Sequence, residues 1–314
     1  MNKYAILIFA LLFNISSCMI AQENDNTVKV SSLERSITKG KDIYISGAII
    51  EGELDFTKLT DYYVEGPHIK RGTISSSITF INCSFSDNIL AYKSEGKTDH
   101  RISFIKNITF INCEFNADVI LKEIVVNGLA NFSKSTFEGI IDIEGADFRS
   151  IDNYFAECIF NGKFKAQRTC FNGNVNFLKS EFFGLASFQH ATFNGDVQFG
   201  ACVFYDHLDL SLIKATDNFI MNYVILHKKA IMNNGNYMGR VEFQQTVFNA
   251  PIEMKGNVYT FPVKFNNAII EAEISVDNSR FLSGMPELDN INSDKGLSID
   301  FSKAQISTLQ IIQN

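Results

Sequence analysis

A chain of 314 residues with 46% hydrophobic and 20% charged residues can bury a large core and is not disordered by composition. Its net charge of -7 argues against nucleic acid as a partner, because that role needs clustered Lys and Arg. Phenylalanine is abundant (29), tryptophan is absent and proline is scarce (4), a bias that the architecture has to explain.

The N-terminus reads as an export signal over residues 1–17. Lys3 supplies the positive start, and "YAILIFALLF" is an apolar run of ten, too short to span a bilayer comfortably. Two cleavage sites compete. "ISSC", Ile15 to Cys18, resembles a bacterial lipobox, in which Cys18 is lipidated and becomes the new N-terminus. Ordinary cleavage after Ala21 is the alternative, disfavoured by Met19 at a position that is usually small. Both routes take the chain out of the cytoplasm, to an envelope membrane through the lipid on Cys18 or to secretion. Residues 18–41 then read as a polar tether that holds a folded body off the membrane.

From residue 42 a repeat takes over. Starting at Phe171 and stepping alternately six and five, the register lands on Phe177, Phe182, Phe188, Phe193, Phe199 and Phe204, and continues without failure to Phe281. Backwards it passes Ala166, Phe160 and Phe155, absorbs one extra residue, and resumes from Phe148 to Phe104. The residue two before each centre forms a second apolar or small series, including Val175, Ala191, Val197 and Cys202. Two inward positions separated by one outward position describe a very short strand, because side chains alternate faces. The intervening residues turn the chain, and glycine falls there at 139, 162, 173, 184, 195 and 239, where positive φ is expected. Segments 57–73, 88–101 and 283–296 depart from the register and read as lateral insertions or cap elements.

A centre that is aromatic or Leu, with a small residue two before it, resembles the pentapeptide-repeat family; "FNGDVQFGACVF", Phe193 to Phe204, has the form of its Phe-rich variant. The resemblance covers about residues 42–311 with interruptions. It implies an all-β, right-handed quadrilateral parallel β-helix with four faces and 22 residues per coil, built as a single domain over 42–314. Residues 22 apart should stack, and stacking would put Asp142 against Lys165, Glu144 against Lys122 and Glu242 against Lys264. An ion-pair ladder therefore explains "DIEGADF" better than a calcium site. Cys83, Cys113, Cys158 and Cys202 fall in the small inward slot and read as buried thiols, whereas Cys170 faces outward.

The chemistry-bearing candidates are few. Asp206, His207 and Asp209 in "DHLDL" are all outward, as an acid/base pair or a surface metal site would require, but a solvated corner of ordinary polar residues accounts for them better. His190 lies in a turn, and His68 and His100 lie in the insertions. No phosphate loop, nucleophile elbow, dinucleotide fingerprint or Cys/His metal spacing is present, so no cofactor or metal is expected. Ile220 and Ile231 are outward and apolar, expected on adjacent faces of one coil near Tyr223, and form a candidate contact patch.

The regular faces favour a non-enzymatic scaffold on the cell envelope that binds a protein or glycan. The alternative is an exported β-helix enzyme acting on polysaccharide, which would need a cleft of convergent carboxylates. Mimicry of DNA, known in the pentapeptide-repeat family, fits neither the export signal nor acids interleaved with lysines.

Overall fold

The computed structural model describes residues 26–293 and 299–307. The export signal, Cys18 and the cut after Ala21 lie outside the described residues. The chain winds as a parallel β-solenoid in which each coil gives one strand in turn to each of four sheets. Sheet I begins at Ile43–Ser46, and sheet III at Leu54–Asp55. Sheet II passes through Ile49–Glu51 and sheet IV through Ile69–Ile74. Among the described residues the four hold 10, 11, 11 and 13 strands. Val175 lies opposite Val197, and Val197 opposite Phe219, so equivalent places recur every 22 residues. The extra residue detected in the sequence appears as Ala130 opposite Asn153.

Most strands are two residues long, one side chain inward and one outward, which is why neither helical nor long-strand periodicity is present in the sequence. The inward phenylalanines stack along the axis. Under sheet I, Phe80, Phe110, Phe132, Phe155, Phe177 and Phe199 follow one another at 4.9–5.5 Å between ring centres. Under sheet II, Phe85, Phe115, Phe137, Phe160, Phe182 and Phe204 do so at 4.6–5.2 Å. The repeated aromatic centre therefore gives a packed interior with matching rings over six successive coils, continued by Met221 and Leu226.

Two kinds of corner alternate. In the tight one, typified by Phe188 to Ala191, the Ala191 N–H donates to the Phe188 carbonyl at 2.8 Å and His190 has φ 60°, the signature of a type II turn. The same positive φ recurs every 11 residues at Lys179, His190, Ala201, Leu212, Tyr223 and Asn234. The glycine-bearing corners correct the expectation from sequence: Gly139, Gly162, Gly173, Gly184, Gly195 and Gly239 are not the positive-φ residues. They are small because the backbones of successive coils nearly touch there. A Cβ on Gly162 would lie 2.0 Å from the Gly139 carbonyl oxygen.

The inward slot on the approach to sheet II runs Ala48, Cys83, Cys113, Ser135, Cys158, Ser180, Cys202, Val224, Thr246, Ala268. Its hydroxyls tie coils together: Ser180 Oγ donates to the Phe155 carbonyl at 2.7 Å and accepts from the Cys158 N–H at 3.0 Å. Ser180→Ala would strand both backbone groups in the core, and an equilibrium urea titration should show a loss of about 2 kcal/mol.

The N-terminal end corrects the tether, which stops short of residue 41. Thr27–Lys29 adds a strand to sheet II beside Ile49–Glu51, and a helix, Val30–Thr38, closes the end of the coil with Val30, Leu33 and Ile37 buried. Those three apolar residues at helical spacing within a polar stretch are what hide the last Phe and Ile layers from water.

The segment 283–296 is also corrected, as far as it is described. It is no lateral loop, because Glu287 bridges to Lys264 and Asn292 to Ile269, with Leu288 and Ile291 packed on the core. A further coil therefore continues with a few extra residues. Segments 57–73 and 88–101 carry β-hairpins. Tyr62–Gly66 pairs antiparallel with Ile69–Ile74, and Tyr92–Glu95 with Thr98–Phe104. Because 69–74 and 99–104 also pair in parallel, the two hairpins together extend sheet IV sideways.

Candidate interaction surface

The six sequence-derived contact residues do not converge. Ile220 is on sheet I, flanked along the sheet by Gln198 and Glu242; Ile231 is on sheet III, flanked by Asp209 and Glu253. The two isoleucines are 11 residues apart, which is half a coil, so sheet II or sheet IV always lies between them and the expected adjacency fails. Tyr223 is exposed at the corner from sheet I to sheet II. Asp206 and His207 occupy the corner from sheet II to sheet III, and Asp209 lies just beyond, its Oδ1 accepting from the Ser211 N–H at 2.9 Å.

Asp206 and His207 do touch. His207 Nδ1 lies 2.7 Å from Asp206 Oδ1, and that hydrogen bond holds the Asp206 carboxyl below its ordinary range. Both side chains stand largely in solvent. Among the described residues no three His, Cys, Asp or Glu side chains come together to hold a metal ion.

The ion pairs expected from stacking are present around the acidic segment. Lys165 Nζ is 3.4 Å from Asp142 and Lys122 Nζ is 3.2 Å from Glu144. Glu242 and Lys264 stand opposite each other as expected, but Glu242 Oε2 accepts from the Asn222 and Gln244 amides, and Lys264 lies 3.9 Å from Glu287. Asp142 and Glu144 sit at the start of a larger network. Arg168 meets Glu144, Arg101 meets Glu123 at 3.2 Å, and Arg71 donates to the Glu123 carbonyl, which fastens the hairpin extension to the coil.

The surface that the sequence reading passed over is the outer side of sheet II. Val203, Ile225, Val247 and Ile269 stand in one file, each opposite the next. At the adjoining corner Phe183, Tyr205 and His227 form an exposed ladder, with ring centres 4.3 and 5.2 Å apart and planes within 10° of parallel. Sheets I, III and IV carry polar or mixed residues outside at the same levels, such as Gln198, Asp209 and Lys214. The signal was available in the 22-residue recurrence of outward residues, had each of the four outward files been read down its own length.

These elements define the class: a parallel β-solenoid with 22-residue coils, an N-terminal helical cap, a hairpin extension on one sheet and an apolar file on another. Comparison with protein-family models, with curated proteins and with solved structures found no match.

Proposed function

We propose that the chain is an exported, envelope-associated scaffold of the pentapeptide-repeat type, a right-handed four-sided coil anchored through a lipid on Cys18, and that it binds a protein partner without catalysing a reaction. The observation that carries the binding role is the outer side of sheet II. Four outward β-branched residues in file, about 15 Å long at ~4.8 Å per coil, give a flat apolar strip that a monomer gains nothing by exposing. The neighbouring aromatic ladder favours protein over glycan. Its rings spend their faces on one another and turn their edges to solvent, whereas a sugar ring packs on an open aromatic face.

The test is site-directed photo-crosslinking in the native envelope. A photoreactive residue in place of Ile225 should give a discrete protein adduct, and the same residue at Gln198 on sheet I should give none; equal labelling at both sites would remove the assignment. The anchor is tested separately, since Cys18→Ala should move the protein from the membrane to the soluble fraction.

A further inference from the structure

Among the described cysteines, Cys83 and Cys113 differ from the rest. The slot file places a serine between Cys113 and Cys158 and another between Cys158 and Cys202, so those pairs are two coils apart, roughly 10 Å at ~4.8 Å per coil. Cys83 and Cys113 occupy consecutive coils, next to the in-register pair Ser84 and Glu114. Their Cα atoms are thus one ladder step apart, about 4.8 Å, inside the window that a disulfide spans.

The surroundings differ as well. Cys158 and Cys202 are sealed in the core, and burial pushes both thiols up. Cys83 and Cys113 are buried as well, each 2% exposed, but they border an open surface cavity of about 270 Å³ shared with Asn82, Asn112, Glu114 and Lys134. The neighbouring Cys113 thiol holds the Cys83 thiol below its ordinary range, which favours Cys83 as the nucleophile of the pair.

We propose that Cys83 and Cys113 are a redox-active dithiol, converted by small-molecule disulfides into a disulfide that staples two neighbouring coils on the approach to sheet II. Cys83 thiolate attacks one sulfur of the small disulfide, forms a mixed disulfide and expels one thiolate. Cys113 then loses its proton and attacks Cys83 Sγ, which breaks the mixed bond and expels the second thiolate. The protein loses two protons and two electrons, and the small disulfide is reduced to two thiols. The inference is independent of the binding role.

The experiment treats reduced full-length protein carrying Cys170→Ser with oxidised glutathione, then digests it under alkylating conditions for mass spectrometry. The expected product is a linked pair of peptides containing Cys83 and Cys113, with Cys158 and Cys202 recovered as alkylated thiols. Formation should speed up as pH rises toward the ordinary thiol range and level off before reaching it, because Cys83 loses its proton below that range. Cys113→Ser, which places in the slot the residue natural at 135 and 180, should trap the glutathione adduct on Cys83. Recovery of Cys83 and Cys113 as free thiols, or glutathione on Cys83 with Cys113 present and no linked peptide, would overturn the proposal.

Discussion

Phe177→Ala is expected to lower the free energy of unfolding by about 4 kcal/mol, as read from a urea titration followed by far-UV circular dichroism. The ring is fully buried and lies within 6.4 Å, centre to centre, of Phe155, Phe164, Phe171, Phe182, Phe188 and Phe199. Removing it opens a void between the Phe155 and Phe199 rings of the two adjacent coils, and short strands held on both sides by the same ladder cannot collapse into it. Phe183→Ala is the matched control. That ring stands 43% exposed on the corner ladder, and its loss should cost well under half as much. A cost at Phe183 equal to that at Phe177 would mean that the inside and outside of the coil have been exchanged.

Gly162→Ala should be nearly as damaging, about 3 kcal/mol, although it adds only a methyl group. The added carbon would meet the Gly139 carbonyl at 2.0 Å, and a Cβ on Gly184 would in the same way lie 2.5 Å from the Gly162 carbonyl oxygen. Two coils have to part locally, and the ladder hydrogen bonds on either side lengthen with them. The contrasting change is Asn234→Gly, at φ 57°, where glycine relieves backbone strain and should leave the midpoint unchanged or slightly higher. If Gly162→Ala behaved like Asn234→Gly, the close approach between coils would be disproved.

The same residues show how far the sequence could be read. The six-and-five spacing around Phe177, Phe182 and Phe188 identified the inward series and the 22-residue stacking, because inward packing repeats in every coil and leaves an arithmetic trace. The role of Gly162 was misread, since a glycine chosen for closeness to the next coil has the same letter as one chosen for positive φ. The helix Val30–Thr38 was hidden in a polar stretch, its three buried residues too few to stand out before the end of the coil they cover was known. The contact surface was missed for a similar reason. Ile220 and Ile231 are conspicuous locally but stand among polar neighbours on different sheets, whereas Val203, Ile225, Val247 and Ile269 become one surface only after the coil is wound.

The central claim is that six and five are successive strands of a 22-residue coil, so that chain can be removed only in whole coils without loss of fit. Deleting residues 175–196 joins Asn174 to Val197, the residue that stands opposite Val175, and keeps every file in register. Deleting residues 175–192 joins Asn174 to Phe193 and brings a sheet IV strand where a sheet I strand belongs. The measurement is urea unfolding of the two deletion variants. The whole-coil deletion is predicted to unfold cooperatively with a midpoint close to that of the parent, and the shorter deletion to lose that transition; similar behaviour of the two would contradict the account.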